Sequence, residues 1–319
     1  MTIGCRAARP PRRPACLDNL SQGPLPMNEN PKRFLSSEVP SCAPQDARFH
    51  VIPVPYEATV SYMGGTRHGP DAILEASDQL ELYDGTGYPG AKGIFTQPDI
   101  DCSGTPELVM ERIASAVRSA LQCHAIPVAL GGEHALTYGE LKALRDVYGT
   151  FGVIQFDAHA DLRDTYDGTK WSHACVMRRA VCDLRLPLIQ FGNRIFCREE
   201  LEARERYSIL SWDAPRLHHE GTRGVTLPDA FPRDIFITFD VDGLDPSVIA
   251  ETGTPVPGGL SWQMALDIIH ALSLQRRIIG VDVVELAPRR GHVVSDFAAA
   301  MLTYALMGEA DRSWSGRSS

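Results

Sequence analysis

The sequence predicts an α/β fold: one domain built on a mostly parallel sheet with helices on both faces. Three observations carry this. Short apolar runs rich in β-branched residues recur along the chain, segments of helical period separate them, and several runs end abruptly in Gly, His or Asp. No internal repeat or linker interrupts the alternation, so residues 49–310 are expected to form a single domain, with 311–319 as a tail.

Residues 1–48 are rich in Pro, Ser, Asn and Arg and lack a sustained hydrophobic period, which predicts a disordered or loosely attached leader. The first 14 residues hold four arginines and no acid, yet no apolar stretch of the secretory kind follows. Met27 opens an ordinary soluble N-terminus and is the expected true start.

Phe49-His50-Val51-Ile52-Pro53-Val54 reads as the first strand. It feeds a loop, Met63-Gly64-Gly65-Thr66-Arg67-His68-Gly69-Pro70, and a helical stretch over 71–75. The loop can wall a site but is no phosphate cradle, since no G-K-[ST] follows. Residues 106–124 carry helical period through Leu108, Ile113, Val117 and Leu121. Next comes a buried-strand candidate over 126–130, then Gly131-Gly132-Glu133-His134 and a second helix through Leu144. A strand, a Gly-Gly turn and a helix start place His134 at the strand's C-terminal edge, where open α/β sheets bind ligands.

Val153-Ile154-Gln155 is another buried-strand run, and Phe156-Asp157-Ala158-His159-Ala160-Asp161 follows directly. A single Asp there would read as a turn or helix cap. In extended backbone, however, alternate side chains share a side, so Asp157, His159 and Asp161 would converge with the alanines opposite. Further strands are expected over 187–192, 207–210, 234–242 and 277–284. The third of these delivers Asp240 and Asp242 at i and i+2, and the last ends in Glu285-Leu286-Ala287-Pro288.

Composition excludes some functions. The chain has 319 residues, 22% charged and 44% hydrophobic, which is ordinary for a globular protein. A formal charge of −9 leaves no basic surplus for a nucleic-acid backbone. No apolar run approaches the roughly 20 residues needed to span a bilayer. The eight cysteines are scattered without a C-x-x-C pair, which fits reduced thiols and a cytoplasmic location.

His134, Asp157, His159, Asp161, Asp240 and Asp242, with Glu285 nearby, form the polar inventory at the strand ends. Four carboxylates and two imidazoles are too many for one tetrahedral zinc but suit two divalent ions sharing bridging carboxylates. Oxygen-rich, thiolate-free ligands favour Mn2+ over Zn2+, while affinity order alone leaves zinc, cobalt and nickel open. Such an acidic site suits a cationic substrate.

From about residue 49 to 308 the chain resembles the arginase and agmatinase ureohydrolases. The blocks that carry the resemblance are Gly131-Gly132-Glu133-His134, Asp157-Ala158-His159-Ala160-Asp161, Phe239-Asp240-Val241-Asp242-Gly243-Leu244-Asp245-Pro246 and Thr252-Gly253-Thr254-Pro255. It implies a three-layer α/β/α fold, a homotrimer or homohexamer, and a dimanganese centre held by the six residues named. It also makes His173, in Ser172-His173-Ala174-Cys175, the active-site histidine and Glu285 the holder of the guanidinium. The implied chemistry is attack of a hydroxide on the guanidinium carbon, with Asp161 accepting its hydrogen bond and His173 relaying a proton to the leaving amine.

Substrate choice turns on Leu162-Arg163-Asp164-Thr165-Tyr166-Asp167, where arginases place an Asn that this chain lacks. Asp164 and Asp167 either meet a distal ammonium, which points to agmatine, cleaved to putrescine and urea, or are solvated loop charges. Arg163 opens the alternative of a carboxylate-ended substrate such as guanidinobutyrate, and arginine and guanidine complete the set. Two other classes share the ligands. A dinuclear phosphoesterase would need Arg or Lys aimed at phosphate, and a silent metal-stabilised protein would need neither His173 nor Glu285.

Overall fold

The computed structural model describes residues 32–315; residues 1–31, Met27 among them, and 316–319 lie outside the described residues. Eight strands form one sheet: β1 (Phe49–Val54), β2 (Ile94–Thr96), β3 (Ile126–Gly131), β4 (Gly152–Phe156), β5 (Leu188–Phe191), β6 (Leu210–Trp212), β7 (Asp234–Asp240) and β8 (Arg277–Val284). Their order is β2-β1-β3-β8-β7-β4-β5-β6, and every pairing is parallel. β1, β3, β4 and β5 are buried at every residue, as both-face coverage requires.

The helices are α1 (Gly69–Ser77), α2 (Pro106–Gln122), α3 (Thr137–Tyr148), α4 (Val176–Cys182), α5 (Arg198–Arg206), α6 (Ala214–Glu220), α7 (Trp262–Gln275) and α8 (Val294–Ser315). They cover the sheet on two sides. Ile73 of α1, Ile268 of α7 and Leu306 of α8 belong to one core, whereas Ile113 of α2, Leu144 of α3 and Met177 of α4 belong to the other. The result is the expected three-layer α/β/α arrangement. Local signals set the helix starts: Thr105 accepts the Leu108 N–H ahead of α2, and Ser261 accepts the Met264 N–H ahead of α7. An aromatic stack crosses the sheet, with Phe156 and Phe239 at 4.7 Å, Phe156 and Phe191 at 5.2 Å, and Phe191 and Trp212 at 5.1 Å between centroids.

Several sequence expectations need correction. Among the described leader residues, Phe34, Leu35 and Val39 are buried in the core, and the Leu35 N–H donates to Ser77 Oγ at 2.8 Å. The packed body therefore begins before residue 49; three apolar residues were too few to register as a period. At the other end α8 runs past 310, with Asp311 and Ser313 buried, so the tail boundary also moves. The sixth strand is Leu210–Trp212, because Tyr207 caps α5 instead of opening the strand. On α2 the buried stripe is Val109, Ile113, Val117 and Ala120, while Leu108 is exposed. No helix among the described residues is long and apolar enough to cross a membrane.

Strand order positions the site. The chain leaves β3, passes through α3 and enters β4 with β8 and β7 lying between. Four neighbouring strands, β3, β8, β7 and β4, thus end side by side at the crossover where parallel sheets open a crevice.

Candidate metal centre

Each strand end contributes one piece. Gly132 lies so close to the chain after β1 that a Cβ there would stand 1.9 Å from the Tyr56 carbonyl oxygen, so only glycine lets β3 deliver Glu133 and His134. β8 delivers Glu285 in the left-handed region, φ 67°, with its N–H bonded to the Gly132 carbonyl at 2.8 Å. β7 ends at Asp240, and a tight turn through Asp242 follows, closed by the Asp242 N–H on Asp240 Oδ1 at 2.9 Å.

The 157–161 segment converges by a different route from the one expected. β4 stops at Phe156, and Asp161 is left-handed at φ 52°, so the alternation of an extended strand does not aim these side chains. Backbone bonds do. The His159 N–H donates to Asp157 Oδ1 at 2.5 Å, the Ala158 N–H to Asp242 Oδ1 at 2.9 Å, and Asn193 Nδ2 to the Asp157 carbonyl at 3.1 Å. A non-glycine residue held at positive φ stores strain that the surroundings must over-determine.

Two groups of donors result, and Asp157 belongs to both. His134 Nδ1 lies 3.2 Å from Asp157 Oδ2, 3.0 Å from Asp161 Oδ2 and 3.5 Å from Asp240 Oδ2. His159 Nδ1 lies 3.5 Å from Asp157 Oδ1 and 3.1 Å from Asp242 Oδ2. Asp157 therefore turns one oxygen toward each histidine. Ligand atoms of His134, Asp157 and Asp240 fall within 4.8 Å of one another, as do those of Asp157, His159 and Asp242. This is the layout of a carboxylate-bridged pair of cation sites.

The donors fit divalent cations. His134 Nδ1 is buried without a hydrogen bond of acceptable geometry, while His134 Nε2 is 2.8 Å from Thr238 Oγ1, which anchors the ring from behind. The carboxylates crowd one another with no Lys or Arg salt bridge among the described residues. Burial and the Asp157 charge push Asp161 up to about 7. Burial and Asp242 likewise raise Asp240 well above the usual carboxylate range, and burial and Glu133 raise Glu285. Burial opposes a charge on His159, yet Asp242 and Asp157 hold its pKa up at about 12. Protons stand here where a cation would stand more favourably.

His159, Asp161, Asp240, Asp242, His173 and Glu285 line a cavity of about 290 Å3. His134 and Asp157 are fully buried behind them. All eight residues expected from the sequence are thus together. Glu285 Oε1 accepts the His134 N–H at 2.6 Å, leaving Oε2 for a ligand. Burial, helped by charge on His134 and His159, pushes His173 down to about 4, so it is neutral at pH 7. Arg163, Tyr166, Phe196 and Tyr62 wall the mouth, with the Arg163 guanidinium 5.0 Å over the Tyr166 ring.

The expectation that Asp164 and Asp167 meet a distal ammonium is overturned, because neither lines the cavity. Asp164 is instead ion-paired with Arg179 from α4. Sequence reading also missed Thr59, Thr238 and Arg194. Arg194 donates to the carbonyls of Asp242 at 2.7 Å, Val256 at 2.7 Å and Gly192 at 3.0 Å, pinning the ligand loop from outside. No motif marks such residues, since they act across long sequence separations.

Comparison with known proteins agrees with this geometry. The N(1)-aminopropylagmatine ureohydrolase of Synechocystis sp. is 41% identical over 301 residues, 89% of this chain and 96% of the relative. The agmatinase of Pyrococcus horikoshii is 31% identical over 280 residues, 86% of this chain and 96% of the relative. The crystal structure of the agmatine ureohydrolase of Thermoplasma volcanium superposes with a TM-score of 0.78 at 28% identity, covering 90% of this chain and 97% of that one. Residues 47–308 match the sequence model described as the Arginase family, and the chain belongs to that family.

Proposed function

We propose that this chain is a dimanganese ureohydrolase that removes urea from the guanidine of a polyamine-like substrate, agmatine or N(1)-aminopropylagmatine. One observation carries the reading: a carboxylate-bridged double donor set opens into the same cavity as a neutral His173 and the half-engaged carboxylate of Glu285. His134, Asp157, Asp161 and Asp240 would hold one ion, and Asp157, His159 and Asp242 the other. When bound, the pair supplies a water that loses its proton near neutral pH.

The protein's own residues do the rest. Glu285 meets the guanidinium through its remaining oxygen and orients the carbon for attack. Asp161 accepts a hydrogen bond from the attacking oxygen. His173, neutral at rest, takes the proton that the water gives up; that proton and the hydroxyl proton held by Asp161 pass to the leaving nitrogen as the C–N bond breaks, so that urea and a protonated amine part. A phosphoesterase would need cations facing the donors, and the described site offers only Arg163, stacked at the mouth.

The longer substrate suits the mouth better. Asp164 is paired to Arg179 and does not line the cavity, so it is not available to agmatine's single ammonium. Glu200 lines the cavity, but its oxygens accept the N–H groups of Leu162 at 3.3 Å and Cys197 at 2.8 Å. Tyr166 and Phe196 already face the Arg163 and Arg204 guanidiniums at 5.0 and 4.3 Å, and the exposed Tyr62 offers its ring to a second, more distant ammonium. The relative at 41% identity supports this preference. Arg163 favours a second reading, in which its guanidinium recruits a carboxylate-ended guanidine such as guanidinobutyrate. Urea release from N(1)-aminopropylagmatine, agmatine, guanidinobutyrate, arginine and guanidine, measured side by side, decides between them. Highest kcat/KM on guanidinobutyrate would establish the second reading, and phosphate-ester hydrolysis without urea release would overturn both.

A further inference from the structure

Behind His173 lies a hydrogen-bonded chain that the reaction as described does not use. The Glu133 carboxylate is fully buried, and its Oε2 accepts the N–H groups of Ala58 at 2.7 Å and Thr59 at 2.6 Å. Its Oε1 lies 3.0 Å from Thr59 Oγ1. The same hydroxyl oxygen is 3.1 Å from His173 Nδ1 and 3.2 Å from the His173 backbone nitrogen.

Hydrogen counting gives this chain a direction. A threonine hydroxyl has one hydrogen and two lone pairs, and a carboxylate only accepts. With Glu133 ionised, which its three hydrogen-bond donors favour against the burial that raises its pKa, Thr59 donates to Glu133 and can only accept from His173. The backbone N–H fills one lone pair and the ring fills the other, which requires the hydrogen of neutral His173 to sit on Nδ1. Its Nε2 is then the bare nitrogen, the ring atom able to take a proton. Helix capping does not account for the contact, because Ser172 already accepts the Ala174 N–H at the start of that turn. Thr59 comes from the loop after β1, 114 residues away.

We propose that Thr59, oriented by Glu133, is a positioning residue that fixes the tautomer and ring plane of His173 so that Nε2 carries the relayed proton. The proposal rests on the ureohydrolase reading, since a histidine without a proton to move needs no fixed tautomer. Left to itself, a neutral imidazole can place its hydrogen on either nitrogen, so loss of the acceptor would divide the population between a competent and an incompetent form.

Three variants of the metal-loaded full chain test it. Thr59→Val removes the hydroxyl at nearly constant shape, and Thr59→Ser keeps it. Glu133→Gln turns its amide toward Thr59, so that Thr59 must donate to Nδ1 and the ring hydrogen moves to Nε2. Thr59→Val and Glu133→Gln are expected to lower kcat by about tenfold to a hundredfold, within the range for general acid–base catalysis, with KM and metal content held. Thr59→Ser is expected to stay within about threefold of the parent, since the donor and acceptor survive. Joint neutron and X-ray diffraction should show deuterium on Nδ1 of His173 in the parent and on Nε2 in Glu133→Gln. Deuterium on Nε2 in the parent, an unaltered kcat in Thr59→Val, or a kcat loss that tracks metal loss or is not rescued by serine would overturn the proposal. Absence of urea release by the parent would instead strike the ureohydrolase reading, while the neutron map still decides the tautomer.

Discussion

The two edges of the sheet handle charge in opposite ways. At the N-terminal edge two acids meet bases: Arg277 grips Asp234 with two contacts of 2.6 Å, and Asp311 receives Arg48 at 3.0 Å and Lys92 at 2.6 Å. Trp314 closes that edge, donating to the Ile278 carbonyl at 2.7 Å with Arg277 at 4.6 Å and Arg48 at 4.9 Å from its ring centroid. At the C-terminal edge Asp157, Asp161, Asp240, Asp242 and Glu285 meet one another and two imidazoles, with no Lys or Arg salt bridge among the described residues. At the first edge Asp234 and Asp311 are each matched by a cation, an arrangement that serves stability. The second is balanced only by protons, or by cations brought from solution, and that imbalance makes it a candidate for binding and chemistry.

The largest effect that could break this contrast is expected from the bridging ligand. Asp157→Ala or Asp240→Ala should cost more than about a hundredfold in both metal retention and turnover, beyond what loss of an outer-shell partner costs. Metal analysis alongside urea release measures both. Retention of two ions and full activity in Asp157→Ala would make the two edges equivalent and end the argument.

Next in size, His173→Ala should lower kcat by about a hundredfold or more while both ions stay, because the residue stands outside the donor groups. Glu285→Ala should chiefly raise KM for the guanidine. Metal loss in either variant would enlarge the donor set and redraw the boundary of the unbalanced edge.

A smaller effect concerns protons. His159, held up at about 12 by Asp242 and Asp157, and Asp161, raised to about 7, must give up protons before they can ligate. Ions therefore displace protons, and affinity should rise with pH and fall as pH drops below 7. Calorimetric titration of metal into stripped protein, in buffers of different ionisation enthalpy, should record proton release. A pH-independent affinity with no release would mean that the imidazoles are not ligands.

The smallest effect belongs to the first edge. Asp234→Ala should cost no more than about 1 kcal/mol, since the Arg277 partner is partly exposed and solvent screens the pair. Thermal unfolding should register a drop of about 2 to 4 °C, with metal content and turnover unchanged. A turnover loss here would show that the two edges are coupled through the strands.

The proposed ligands could be picked out in the chain because each cluster is local: Gly132 to His134, Asp157 to Asp161 and Asp240 to Asp242 each follow an apolar run and mark the end of a strand. Local alternation of strand and helix likewise sufficed for a parallel α/β sheet, since period and turn chemistry act within a few residues. Only the folded chain decided that β3, β8, β7 and β4 end together, because strand order depends on crossovers that no short window contains. It also decided that Asp161 turns inward through a left-handed backbone, and that Asp164 serves Arg179 instead of a substrate. Thr59, Glu133 and Arg194 acquire their parts from partners far along the chain. A side chain's chemistry is set by its identity, but its partner, and hence its use, is set by what the tertiary fold brings within about 3 Å of it.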